Sequence, residues 1–169
     1  MPRLFGEKLR ALRTERQLTQ AQLAEQLGLA TQSHLSYLER GKSAPSVALA
    51  VRAAGVLGVT VDFLLRDTIP PDIPIASSFS PSQGDDVARQ FGKRLRGRRT
   101  RSGMSQVQLA EHLQPLSQAY ISLLESGQKA PSVETILRCA DLFGVTADDL
   151  LLATLAGEEE DAQARTVHE

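Results

Sequence analysis

Residues 19 to 42, TQAQLAEQLGLATQSHLSYLERGK, return as residues 105 to 128, SQVQLAEHLQPLSQAYISLLESGQ, and this repetition constrains the chain more than any other feature. The correspondence runs without a gap from Phe5/Phe91 to Leu65/Leu151 at a constant offset of 86, with about half the positions identical. Two copies are too few, and the period too long, for a solenoid whose repeats lean on their neighbours, so two separate domains are expected. About sixty residues each is small but can close a core.

Within the first copy, Thr19 caps a helix whose third position is Gln22, the reciprocal capping box, and Leu23, Ala24 and Leu27 fall on one face. Gly28 closes that helix as a residue free to take positive φ. Thr31 caps the next, over about 31–40, which buries Leu35 and Leu38 and stops at Gly41. Gln32, Ser33, Ser36 and Tyr37 are left facing outward. Ser105 and Gln108 repeat the start, and the second outward helix, about 117–126, presents Gln118, Ala119, Ser122 and Leu123. A first helix is expected over Met1 to Gln17, with Leu4, Phe5, Leu9 and Leu12 near one face and Lys8, Arg10, Arg13 and Arg16 offering charge. Ser46 caps a fourth helix that turns Val47, Ala50, Ala54 and Leu57 inward and ends at Gly58; Thr60 caps a short fifth carrying Phe63 and Leu64. The fold class is all-α, five helices per domain.

The domains are expected at 1–66 and 85–153. Between them, 67–84 holds four prolines and a cluster of serines with no helical period, and reads as a linker. Fully extended, such a segment reaches roughly 65 Å, which restricts the two domains little. Ile73, Ile75 and Phe79 within it read as incidental apolar residues, or as groups that dock on a neighbouring domain. Residues 154–169 read as an acidic disordered tail; the run Glu158 to Asp161 is a solvated stretch or a mimic competing for basic surfaces.

The net charge of −1 conceals segregation. Residues 1–66 carry nine Lys or Arg against five acids and residues 91–151 eight against six, while the connection and tail are acidic. Two cationic domains with acidic flanks suit a polyanion. Cys139 is the only cysteine and aligns with Ala53, so it reads as a small core residue; no disulfide and no multi-cysteine metal site is expected. His34, His112 and His168 share no ligand spacing, and neither metal nor cofactor is expected. No Ser/His/Asp set or glycine-rich phosphate loop supports an enzyme. Without a membrane-length apolar run or signal peptide, the expected place is the cytoplasm, with the nucleoid.

A helix that reads base edges needs a narrow face of short polar groups near its start, since these must enter a major groove about 12 Å wide. Gln32 can pair with adenine, Ser33 is a less selective donor or acceptor, and Tyr37 can reach a base edge, a thymine methyl or a phosphate. Arg40, Lys42 and Ser43, just after the helix, are candidates for backbone phosphates, with Lys129 in the second copy. The basic run Lys93 to Arg101 is a solvated face or a further phosphate contact.

TQxxLAExLG, TQSxLSYLERGK, the following PS and LGVTVDFLL resemble the helix-turn-helix family of phage repressors and Cro proteins, over about sixty residues of each copy. The resemblance implies a tandem of lambda-repressor-like domains and a sequence-specific regulator of transcription on double-stranded DNA, a repressor by family precedent. It implies that Gln20, and Gln106 in the second copy, hold a phosphate and brace the first recognition glutamine, and that Arg13 with Glu39 and Arg99 with Glu125 are structural ion pairs. The chain departs from the pattern in a turn one residue longer in both copies, and in Gln114–Pro115 where Gly28–Leu29 stand in the first. Ala119, Leu123 and Ser126 also make the second reading face less polar than Ser33, Tyr37 and Arg40. Two arrangements stay open: both domains read unlike half-sites as a tethered pseudo-dimer, or the first reads while the second, through Tyr120, Leu123 and Gln128, builds a homodimer on a palindrome. A protein-binding module, antitoxin-like or bridging, is the alternative of another class. A partner protein, or a peptidase cutting the linker, would supply the switch.

Overall fold

The computed structural model describes residues 4–69 and 87–152. Most of the expected linker, the tail 154–169, and with them Ile73, Ile75, Phe79 and His168, lie outside the described residues. The described residues form α1 (Phe5–Glu15), α2 (Gln20–Gln26), α3 (Gln32–Glu39), α4 (Val47–Leu57) and α5 (Val61–Leu65), then α6 (Val87–Arg101), α7 (Gln106–His112), α8 (Gln118–Glu125), α9 (Val133–Phe143) and α10 (Ala147–Leu151). The all-α, five-plus-five organisation expected from the sequence is thus the observed one.

Helix starts use the capping chemistry the sequence offers. Thr19 and Ser105 each close a capping box with the glutamine three residues on, and Thr31, Ser46, Thr60, Ser117 and Ser132 each accept an amide of the first turn. The first helix is shorter than expected, with Leu4 at its N-cap. Gln17 lies beyond its end at φ 56°, a left-handed backbone that the second copy gives to Gly103, φ 67°.

Both units bury apolar side chains. Phe5, Leu9, Leu12, Leu23, Leu27, Leu35, Leu38 and Leu57 are buried in the first, and Phe91, Leu95, Leu109, Ile121, Leu124, Ile136 and Cys139 in the second. What aims α3 is a glycine the sequence reading passed over. A Cβ at Gly6 would overlap the Leu38 carbonyl oxygen and come within 2.8 Å of that of Glu39; a Cβ at Gly92 would do the same to Leu124 and stand 2.9 Å from the Glu125 oxygen. Backbone therefore lies directly on backbone where α1 crosses the last turn of α3, and α6 that of α8.

Lys8 does not offer its charge to solvent, contrary to expectation. It is fully buried, and its Nζ donates to the carbonyls of Phe63 (2.6 Å) and Arg66 (2.6 Å), lying 4.9 Å from the centre of the Phe63 ring. The last carbonyls of α5 have no partner within their helix, and a cation there satisfies them. Burial pushes the Lys8 amine below its usual range.

The units also touch one another, at α5 and α10. Asp148 accepts from the amides of Val61 (2.9 Å) and Asp62 (2.8 Å), while Asp62 accepts from the amide of Ala147 (2.7 Å). Arg66 joins its own turn through Asp62 (2.8 Å) and reaches Asp141 of α9 (2.7 Å). Burial, aided by the neighbouring Asp62 charge, raises the Asp148 carboxyl above its ordinary range despite the amides it accepts.

Candidate nucleic-acid interface

In each unit the second and third helices meet at a turn, and a chain of polar side chains runs from the interior to the outward face of the third. Glu39, at the end of α3, is buried at 8% exposure. Its carboxylate takes Arg13 Nε at 2.6 Å and Nη2 at 3.2 Å, a bidentate pair, and Arg13 Nη1 also donates to the Leu18 carbonyl at 2.9 Å. Gln20 donates its Nε2 to the same carboxylate at 2.7 Å, and Gln32 donates to Gln20 Oε1 at 3.4 Å.

The polarity of that chain is dictated. A carboxylate only accepts, so Gln20 must turn its NH₂ to Glu39 and its oxygen to Gln32. Gln32 then spends one N–H inward and keeps its oxygen and second N–H for solvent. An acceptor beside a donor on one amide matches N6–H and N7 of adenine. The 3.4 Å contact is long, so the brace orients Gln32 without clamping it.

The second unit repeats the chain link by link. Arg99 meets Glu125 at 2.6 and 3.1 Å and donates to the Met104 carbonyl at 2.7 Å; Gln106 donates to Glu125 at 2.9 Å and Gln118 to Gln106 at 3.4 Å. The Glu125 carboxylate raises the Arg99 pKa further. Arg99 is therefore consumed internally, although it stands in the basic run Lys93 to Arg101.

The residues expected on the outward face are there: Gln32, Ser33 and Tyr37 on α3 are exposed, as are Gln118, Ala119, Ser122 and Leu123 on α8; Ser36 is half-buried. Tyr37 is 51% exposed, a large ring half open to solvent. Arg40, Lys42 and Lys129 are exposed and Ser43 half-buried. Lys129 lies over the Tyr120 ring, 5.2 Å from its centre, which fixes the ammonium beside α8. Arg10 and Arg96, identical across the repeat and exposed, are read from the sequence only as a charge on the first helix and as part of the run Lys93 to Arg101. Arg96 edges a polar recess of about 250 Å³ that Gln106, Ser122 and Ser126 also line, next to the brace. The signal was available, since each lies one turn before the ion-paired arginine on the exposed side of its helix.

The turn before the third helix differs between units as the sequence requires. Gly28 takes φ 63° after α2, whereas the second unit passes through Gln114–Pro115, a cis peptide, without a left-handed residue there. Both third helices nevertheless start on a hydroxyl cap, Thr31 and Ser117. Among the described residues no cluster of three His, Cys, Asp or Glu could hold a metal ion, and no helix is long and apolar enough to cross a membrane.

A helix-turn-helix family model matches residues 9–64, and a helix-turn-helix domain model matches residues 90–153. Among curated proteins, the chain is 37% identical over 65 residues to the SPbeta prophage-derived uncharacterized HTH-type transcriptional regulator YonR of Bacillus subtilis (strain 168), a match covering 38% of this chain and 59% of the relative. It is 39% identical over 62 residues to the Immunity repressor protein of Bacillus phage phi105, covering 37% of this chain and 42% of that one. The chain thus spans about half the length of the curated relatives it matches. No solved structure gives a significant match.

Proposed function

We propose that this chain, which carries two helix-turn-helix domains of the Cro/cI type in tandem, is a sequence-specific double-stranded DNA-binding regulator of transcription, acting as a repressor and residing with the nucleoid. The observation that carries the reading is the duplicated brace, in which a buried ion pair orients one glutamine so that it presents the next, Gln32 or Gln118, on an exposed face. In this reading α3 and α8 enter the major groove. Gln32, Ser33, Ser36 and Tyr37 on one, and Gln118, Ala119, Ser122 and Leu123 on the other, face the bases. Gln20, Arg40, Lys42, Ser43, Gln106 and Lys129, joined by Arg10 and Arg96, take backbone phosphates. Repression rests on the name of the phage relative and on the physical fact that a protein seated in the groove excludes others. Cleavage within 67–84 would remove the tether that raises the effective concentration of one domain beside the other and so weaken it.

Binding of the full chain to duplexes selected from a random pool, followed across salt concentrations, tests this. A head making five or six phosphate contacts should lose affinity with a log–log slope near −0.9 per contact, and Gln32→Ala should lose about 1–3 kcal/mol of preference at one base pair. Equal binding to all duplexes, unaltered in the variant, would refute it.

One observation favours a second reading for the second domain. Leu123 is 39% exposed on α8, an apolar group that a protein partner would cover as readily as a thymine methyl. Leu123→Glu separates the two: phosphate repulsion weakens DNA binding if α8 faces DNA, whereas a changed sedimentation mass places Leu123 in a protein contact.

A further inference from the structure

We propose that the exchange between α5 and α10 makes the two domains one pseudo-two-fold body, so that a single chain takes a single operator of two unlike half-sites at one fixed spacing; this rests on the DNA reading above. Val61 and Ala147 are equivalent across the repeat, as are Asp62 and Asp148. The contact is reciprocal in those terms. Asp148 accepts from the amide of Val61, and Asp62 accepts from the amide of Ala147, the same bond drawn twice with the partners exchanged. Residue i meeting j while j meets i is the mark of a two-fold relation. The operation that exchanges α5 with α10 also exchanges α3 with α8, so the two reading helices are set as a pair by protein structure and not by the length of 67–84.

The contact also selects unlike partners. Arg66 pairs with Asp141 at 2.7 Å, but Leu152 stands where the second domain would need Arg66, and Gly55 where the first would need Asp141. Two first domains would set Arg66 against Gly55, and two second domains would set Leu152 against Asp141. Neither like pairing can make the bond. Within one chain the partners are joined by the segment between Ile69 and Val87, whose tethering raises their effective concentration to the millimolar range. The reading faces then differ by design of the same pairing, since Ser33/Ala119 and Tyr37/Leu123 present different chemistry to the two half-sites.

The test compares the full chain with a variant carrying ten Gly/Ser residues inserted at position 80 of the connecting segment. Random-pool selection should yield the same two unlike half-sites at the same spacing from both, with one 18.3 kDa chain per duplex, and scrambling either half-site should weaken binding ~100-fold. Asp62→Ala with Asp148→Ala should broaden the spacing while circular dichroism shows the helices retained. A spacing that shifts with the insertion, or a palindrome occupied by two chains, overturns the proposal. Failure of every pool to enrich a sequence would remove the DNA reading alone. Small-angle scattering of the free protein then decides the docking: a domain separation unchanged by the insertion upholds it, and one that grows with the insertion refutes it.

Discussion

Glu39→Met keeps most of the side-chain volume and removes the carboxylate to which Arg13 and Gln20 donate, at 2.6, 3.2 and 2.7 Å. Orphaning one member of a buried pair ordinarily costs about 3–5 kcal/mol. The Arg13 side chain keeps 14% exposure and its bond to the Leu18 carbonyl, so water relieves part of the loss and about 2–3 kcal/mol is expected. For a domain of this size that is a fall of roughly 10–20 °C in the unfolding midpoint. The double replacement Arg13→Met/Glu39→Met removes the stranded charge as well and should return to within about 1 kcal/mol of the parent, because apolar residues of like volume substitute well for a buried ion pair. Recognition should not return with it. Gln20 still lacks the carboxylate that sets its amide, so both variants should lose the base preference of Gln32 to the same degree. Urea unfolding followed by far-ultraviolet circular dichroism reads the first quantity, and pool selection reads the second. A single variant as stable as the parent would show that the pair is not desolvated. A double variant as damaged as the single would assign the loss to packing, and one that kept the preference would refute the orienting role of the brace.

Four other outcomes follow from particular contacts. Gln17→Gly should stabilise the first domain by about 0.5 kcal/mol in thermal unfolding, since relief of the left-handed backbone at φ 56° slightly exceeds the extra entropy of glycine. Gly92→Ala, which drives a Cβ into the Leu124 carbonyl, should cost roughly 2–3 kcal/mol and weaken binding to the second half-site more than to the first. Cys139, fully buried and with its thiol pushed up to about 12, should react at pH 8 far more slowly than a free thiol with a soluble disulfide reagent, and its labelling should follow the opening of the second domain that exposes it. Asp148, facing Asp62 with Arg66 and Asp141 close by, has a carboxyl raised in the docked form; docking therefore takes up a proton and should tighten, not loosen, as pH falls toward the ordinary carboxylate range, which scattering at successive pH values would register.

Local chemistry was legible in the sequence because it is encoded locally. Thr19 with Gln22, Ser105 with Gln108 and Gly58 after Leu57 each state a helix end within four residues, and the structure places the ends there. The outward glutamines were legible from helical spacing alone. Lys8 was not. Its spacing fits a charged flank as well as a buried cap, and only the position of the α5 carbonyls, more than fifty residues away in sequence, decides between them. Gly6 and Gly92 carried a readable sign, a glycine kept inside a helix in both copies, but what it makes room for is the crossing backbone of α3 or α8. The Asp62–Asp148 exchange left no sign that could be told from an ordinary acidic residue in the first turn of a helix.

The places where the copies differ follow a physical division. The brace is the same in both because each of its members is fixed by the others: a carboxylate must face the arginine, and the glutamine must turn its amide to suit the carboxylate. Ser33/Ala119 and Tyr37/Leu123 touch none of that chain and lie exposed, so exchanging them leaves the interior undisturbed. The same freedom holds at the rim of the contact between domains, where Arg66 and Asp141 differ from Leu152 and Gly55 at the equivalent positions while the Asp62–Asp148 exchange stands at its centre. A dimer of identical chains cannot use that freedom, since any change to one reader is a change to both and its site stays palindromic. Two joined copies can alter one reader alone, and the one-sided ion pair gives the unlike copies a reason to pair with each other.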